Sequence, residues 1–237
     1  MYKNKRIILI VPVFNEKELI GRVVDKAKGT PIDEICVISD GSTDDSPEVA
    51  RSKGATILFH QKRKGIGAGI RTGIKYALTH NFDIIVVCAG NDKDNPQEVD
   101  RLLKPIVEEG YDYIQGSRYM KGGKWGNTPF YRVLLSKVFF LFSSLLVGKR
   151  FTDFTNGFRA YTKEFIKDER ININQEWLNA YELEPYLHCK AVTLGYRVKE
   201  VPVTKIYPTK KTSKIRPFID WWKIIRPVIY LKLRIKK

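Results

Sequence analysis

The sequence predicts an α/β fold built on a mostly parallel sheet, and three observations support that reading. The first hundred residues alternate short apolar, β-rich runs with amphipathic segments, the pattern of βαβ units with helices of about 10–15 residues. The opening run RIILIVPVF is apolar throughout, as a parallel strand covered on both faces must be. Small polar and acidic residues then recur where the runs end, at Asn15/Glu16, at Ser39/Asp40 and over residues 91–94. That rim is where open α/β sheets bind their ligands.

Each element follows from its local pattern. EKELIGRVVDKAKG puts Leu19, Ile20, Val23, Val24 and Ala27 on one helical face, with Gly29 as a stop. DEICVIS reads as a second strand, and DGSTDDSPEVARSKG as a turn leading into a short helix. ATILFH is a third strand, GIGAGIRTGIKYALTH a helix and DIIVVCA a fourth strand. NPQEVDRLLKPIVEEG is helical, with Pro96 near its first turn, and YDYIQGSRY is another strand. The later chain reads as an apolar helix (FYRVLLSKVFFLFSSLLVGKRF), a loop with a strand-like end (DFTNGFRAYTKEF), a helix (NAYELEPYLHCKAVTLGYR) and one strand (VKEVPVTKIYP). The last segment, IRPFIDWWKIIRPVIYLKLRIKK, interleaves bases with aromatic and aliphatic residues, and Pro217 and Pro227 argue against one unbroken helix.

Composition narrows the function classes. At 237 residues and 43% hydrophobic, the chain suits one substantial domain with a small appendage. The division expected is a body over residues 1–208 and a basic, aromatic segment over 209–237. Cys36, Cys88 and Cys189 are widely spaced, which suits reduced core thiols rather than a disulfide framework or a zinc site. A net charge of +16 points to an anionic partner, and from Lys205 onward there are eleven Lys/Arg against the single acid Asp220. The start reads as a strand rather than a signal peptide. The most apolar stretch, residues 133–148, is 16 residues long and holds Lys137, short of the roughly 20 that span a bilayer. No transmembrane anchor is therefore expected. No recognisable nucleic-acid module is present, and no nucleic-acid partner is expected.

The chemistry concentrates in a few motifs. VPVFNE (Pro12, Asn15, Glu16) and ISDGSTDD (Asp40) place carboxylates at two neighbouring strand ends, where they can grip a base edge and ribose hydroxyls. Turn and capping preferences would place the same residues there without any ligand. HQKRKGIGAGIRTGI, with Gly67 and Arg71, fits a basic glycine-rich loop entering a helix whose N-terminal amides favour anions; a solvated surface loop is the alternative. His60, His80 and His188 are scattered and read as structural.

Taken together, IILIVPVFNEKELI, ISDGSTDD, KGIGAGIRTGIKYA, GSRYMKGG and DFTNGFRAYTKEF resemble glycosyltransferase family 2. The resemblance is to its dolichyl- or polyprenyl-phosphate sugar synthase branch and runs over about residues 7–208. It implies a GT-A (Rossmann-like) fold, a nucleotide-sugar donor and a polyprenyl-phosphate acceptor. It also implies that Pro12, Asn15, Glu16, Asp40, Gly67, Arg71 and Asn91 bind the donor. Arg118, Arg132 and Ser136 would handle the phosphates as the catalytic set, guanidinium forks being suited to a leaving diphosphate. Asp153, Thr155 and Arg159 would line the acceptor side, and Glu182 and Glu184 match an acidic pair on a helix of the family.

The sequence departs from the family at VVCAGNDKDNP. Most members carry Asp-x-Asp there to hold Mg2+ or Mn2+, whereas Ala89, Gly90 and Asn91 occupy the matching positions. Three alternatives stand. Asp92 and Asp94, with Asn91, could supply shifted oxygen ligands for the metal. Lys93 and the arginines could neutralise the diphosphate without one. Or the site is inactive or rearranged. Ser39 departs similarly, since the family usually has Asp there. The missing general base is no objection, because a lipid phosphate is already anionic and needs no deprotonation.

A lipid acceptor requires the enzyme to reach a bilayer. Residues 133–148 and the basic tail with Trp221, Trp222 and Tyr230 suit amphipathic helices at the interface of an anionic membrane. The expected location is peripheral, on the cytoplasmic face, with a membrane-protein partner also considered. A saccharide acceptor, or a non-catalytic nucleotide- or lipid-binding module, are the rival readings.

Overall fold

The computed structural model describes residues 2–128, 130–207 and 219–236, without the side chains of residues 130–132. Nine strands and eight α-helices lie among them. The βαβ half follows the sequence closely: β1 (Ile7–Val13), α1 (Lys17–Ala27), β2 (Glu34–Asp40), α2 (Ser46–Ser52), β3 (Thr56–His60), α3 (Ile66–Thr79) and β4 (Ile84–Val87). A 3-10 turn at Pro96–Glu98 leads into α4 (Val99–Glu109), then β5 (Tyr113–Ser117), the short β6 (Lys124–Gly126) and α5 (Phe130–Val147). The remainder is β7 (Arg159–Thr162), α6 (Lys163–Lys167), α7 (Leu183–Thr193), β8 (Val198–Pro202), β9 (Thr204–Ile206) and α8 (Ile219–Lys232), with a second 3-10 turn at Glu176–Leu178.

Seven strands form one sheet in the order β3-β2-β1-β4-β7-β5-β8. All neighbours pair in parallel except β7, which runs antiparallel to both β4 and β5. β1 is flanked by β2 and β4, so the crevice of the topological switch opens beyond the ends of β1 and β4.

Successive residues of a strand point to opposite faces, and β1 divides its side chains accordingly. Ile8 and Ile10 join the core beneath α3, α5, α7 and α8. Ile7, Leu9 and Val11 join the core beneath α1 and α4. Cys36, Cys88 and Cys189 are buried and unbridged.

Three elements differ from the sequence reading. The expected single strand VKEVPVTKIYP is two strands in two sheets, because β9 leaves the main sheet to pair with β6. KEF is not a loop end but the start of α6, capped by the Thr162 hydroxyl accepting from the Phe165 amide. Pro227 lies inside α8 without ending it. Ile224 and Val228, flanking it, are packed in the core, and that burial offsets the lost backbone hydrogen bond. The segment expected to lie apart at a membrane therefore has one face seated on the body. Pro217, like the rest of residues 208–218, lies outside the described residues.

Candidate functional site

A cavity opens at the switch point, and most of the singled-out residues line it. Pro12, Glu16 and Asp40 come from the ends of β1 and β2, and Asn91 from the loop after β4. Arg118 follows β5, Ser136 lies on α5, and Thr155 and Arg159 belong to the segment entering β7. Glu184, at the start of α7, closes the far side. Sheet order explains how residues so distant in sequence converge, since β1, β4, β7 and β5 are neighbours.

Arg118 is held more firmly than a surface base. Its Nε donates to Asp153 Oδ2 at 2.6 Å and its Nη2 to Asp153 Oδ1 at 2.8 Å, with a further bond to Thr155 Oγ1 at 2.9 Å. Asp153 is fully buried, and its own backbone amide donates to Glu200. Burial disfavours the Arg118 charge and the Asp153 carboxylate outweighs it, so the guanidinium pKa is raised. Asp153 does not line the cavity; it orients the arginine that does.

Arg159 stands in the middle of the sheet, opposite Val87 on β4 and Gln115 on β5. It donates to the Tyr113 hydroxyl at 2.8 Å and the Glu184 carbonyl at 3.0 Å, and it pairs with the Glu184 carboxylate at 3.4 Å. Glu182 instead pairs with Arg226 and joins α7 to α8.

Asp40 is nearly buried, and its carboxylate gathers the loop before α3. It accepts from the amides of Lys64 at 2.8 Å and Gly65 at 2.7 Å, while His60 Nδ1 lies 2.7 Å away. Arg63 on that loop lines the cavity, its guanidinium 4.1 Å from the centre of the Phe14 ring. Asn15, at φ 53°, ties the two strand-end loops together: its Oδ1 accepts from the Thr43 amide at 2.9 Å.

The glycine-rich helix start is built differently from the sequence expectation. The amide of Gly67 donates to the Ala180 carbonyl at 2.9 Å and that of Ala68 to Asn179 at 3.0 Å. These amides are thus taken up by protein rather than presented to an anion. A Cβ on Gly67 would lie 2.1 Å from the Leu178 carbonyl oxygen, so glycine is required for this close approach. Arg71 hydrogen-bonds Asn179, and neither it nor Gly67 lines the cavity.

The shifted metal ligands are also not brought together. Asp92, at φ 55°, pairs with Lys26 on α1 at 2.6 Å, and buried Asp94 pairs with Lys205 at 2.6 Å. Neither lines the cavity. Asn91 does, with Oδ1 buried and lacking a protein partner. Arg132 is on α5, but its side chain lies outside the described residues.

Sequence reasoning passed over Lys205, Tyr119 and Tyr207, all in the cavity wall. For Lys205 a signal existed: Val201, Val203 and Lys205 alternate at the strand period, and all three are buried.

Comparison with known proteins agrees with this architecture. The model of a family described as glycosyl transferase family 2 matches residues 8–170. Polyprenol monophosphomannose synthase of Mycolicibacterium smegmatis is 30% identical over 208 residues, 85% of this chain and 77% of that one. Undecaprenyl-phosphate mannosyltransferase of Micrococcus luteus is 27% identical over 219 residues, 89% and 87% of the two chains. A solved structure of glucosyl-3-phosphoglycerate synthase from Mycobacterium tuberculosis, in complex with Mn2+, UDP and glucosyl-3-phosphoglycerate, has a TM-score of 0.71 at 18% identity, covering 99% of this chain and 82% of that one. The fold is GT-A, and with more than half its length matched, the chain belongs to glycosyl transferase family 2 and is a glycosyltransferase.

Proposed function

We propose that the enzyme moves one sugar from a nucleotide-sugar to a polyprenyl phosphate at a membrane surface, with inversion. The observation that carries this reading is the double use of α5. Ser136 faces the cavity, while Leu134, Val138, Leu141 and Leu145 on the other side of the same helix are 53, 60, 65 and 72% exposed. Spacings of three and four residues make them one apolar stripe, and an exposed stripe of this kind marks an interaction surface. Lys137 lies exposed on the same helix, and Ile219 and Trp222 of α8 are also exposed. A cavity floored by such a helix can receive a phosphate whose lipid tail stays in the bilayer. The relatives named for polyprenol and undecaprenyl phosphate support this acceptor. No helix among the described residues is long and apolar enough to cross a membrane, and the proposed location is peripheral, on the cytoplasmic face. Residues 1–208 would form the transferase body and 209–237 add basic surface.

In the reaction, an acceptor phosphate oxygen bonds the anomeric carbon as the bond from that carbon to the donor diphosphate breaks, its electron pair leaving on the diphosphate. Arg118, held by Asp153, would stabilise that growing charge, with Arg132 and Ser136 assisting. Glu16, Asp40 and Asn91 would flank the nucleoside end, and Thr155 and Arg159 the acceptor. Solved structures of this fold contain Mn2+, but Ala89, Gly90 and Asn91 of the loop after β4 do not make a divalent-metal ligand set, so no step is routed through a metal. The test is to incubate the protein with vesicles carrying polyprenyl phosphate and a panel of nucleotide-sugars. A glycosylated lipid from at least one donor is expected; sugar transferred only to soluble saccharides would overturn the acceptor assignment.

A further inference from the structure

The loop after β4 offers a divalent cation almost nothing. Ala89 and Gly90 have no side-chain oxygen, and Asn91 brings one neutral amide oxygen. Hard cations such as Mg2+ prefer several oxygen ligands, carboxylates among them. The nearby carboxylates are committed, Asp92 to Lys26 and Asp94 to Lys205. Gly90 has no room for a replacement, since a Cβ there would lie 2.5 Å from Val13 Cγ2. Among the described residues no three His, Cys, Asp or Glu side chains gather to hold a metal.

What lies beside this loop is a lysine. Asp94 and Lys205 form an antiparallel bridge, and the Ile206 amide donates to the Lys93 carbonyl at 2.9 Å. This pairing clamps β9 to the loop. The Lys205 ammonium donates to Asp94 Oδ1 at 2.6 Å and to Asn156 Oδ1 at 3.1 Å, and the residue lines the cavity. An ammonium has a third N–H beyond those two. On the same wall Lys93 Nζ sits 4.5 Å from the centre of the Tyr207 ring.

We propose that this site binds the diphosphate of its donor without a divalent cation, Lys205 and Lys93 supplying the charge a metal would bring. The inference rests on the cavity being a nucleotide-sugar site. The lining itself is cationic: Arg63, Lys93, Arg118, Arg159 and Lys205 face the cavity with Glu16, Asp40 and Glu184, while the carboxylates of Asp94 and Asp153 that hold Lys205 and Arg118 lie behind the wall. An ammonium already desolvated and fixed by a buried carboxylate is preorganised for the leaving group and needs little rearrangement as charge develops.

The test is calorimetric titration of the full chain with UDP, GDP, CDP and ADP, each in EDTA and in MnCl2. At least one nucleotide should bind in EDTA with a Kd within about threefold of that in Mn2+. Lys93→Met should weaken that binding roughly tenfold in EDTA. The double variant Lys205→Met/Asp94→Asn removes the pair without stranding a buried charge and should do the same. If the double variant fails to fold, Lys93→Met and the chelation comparison decide. A tenfold or greater loss of affinity on chelation, or unchanged affinity in Lys93→Met, would overturn the proposal. Chelator-resistant binding with no sugar transfer sustains this inference while overturning the proposed function. Absence of binding in both buffers overturns both.

Discussion

Asp153→Asn is the most informative single change, because it separates holding Arg118 from using it. The carboxylate takes three bonds from Arg118: Nε at 2.6 Å, Nη2 at 2.8 Å and the backbone amide at 3.1 Å. Arg118 is 5% and Asp153 0% exposed, so water cannot replace the lost charge. Removing one partner of a buried pair costs about 3–5 kcal/mol, mostly the penalty of the stranded charge. Against a total stability of about 5–15 kcal/mol for a domain, Asp153→Asn should sacrifice a large share. Removing the guanidinium as well, as in Arg118→Met/Asp153→Asn, should cost less than Asp153→Asn alone, because no charge is stranded and the side-chain amide oxygen still accepts from the backbone amide of residue 118. Urea denaturation of wild type, Asp153→Asn, Arg118→Met and the double variant measures this directly. The folded double variant should be inactive in sugar transfer. An Asp153→Asn protein with the wild-type urea midpoint and slope would mean that the carboxylate does not compensate the buried Arg118 charge.

His188 is fully buried among Phe151, Phe154 and Tyr113, and burial first, then Arg159 and Lys149, hold its pKa well below 6.5. Below pH about 6.5 the unfolded chain takes up a proton that the folded one refuses, so stability is present above that pH and falls by about 1.4 kcal/mol per unit on acidification. Between pH 7 and 5, wild type should lose about 2 kcal/mol more than His188→Phe in urea unfolding, and equal losses would contradict the assignment. Gly67→Ala forces a Cβ against the Leu178 and Ala180 carbonyls; a Tm fall of roughly 6–12 °C, or failure to fold, is expected by thermal denaturation. Leu141→Glu/Leu145→Glu alters only exposed positions and should leave Tm unchanged. Its sedimentation with phosphatidylglycerol vesicles should weaken at least about tenfold, and unchanged sedimentation would remove α5 from the membrane contact.

The parts of the molecule legible in the sequence are those whose cause is local. The run at β1 is apolar because both its faces are covered, and Asp40 sits at a strand end because turns favour it. The order of the sheet is not local. Nothing in RAYT records that β7 inserts antiparallel between β4 and β5, so the central burial of Arg159 could not be read. Gly67 showed the reverse failure: the motif was visible, but its partner, the carbonyls of residues 178–180, lies over a hundred residues away and turns an apparent anion cradle into a packing contact. Asp92 and Asp94 were one candidate replacement for the family's Asp-x-Asp, shifted along the loop, while their lysine partners come from α1 and β9. Pro227 misled because a helix rule was weighed without the burial of Ile224 and Val228.

On the proposed function, donor nucleotide and lipid phosphate meet in one cavity between the strand ends and α5. Photolabelling measures this most directly, using an azido-nucleotide and a benzophenone-bearing polyprenyl phosphate on separate samples, followed by peptide mapping. The nucleotide label should fall near Glu16, Asp40 and Asn91, and the lipid label on α5 near Ser136 and Leu141. Lipid labels on a face away from α5, or nucleotide labels outside the ends of β1, β2 and β4, would contradict it.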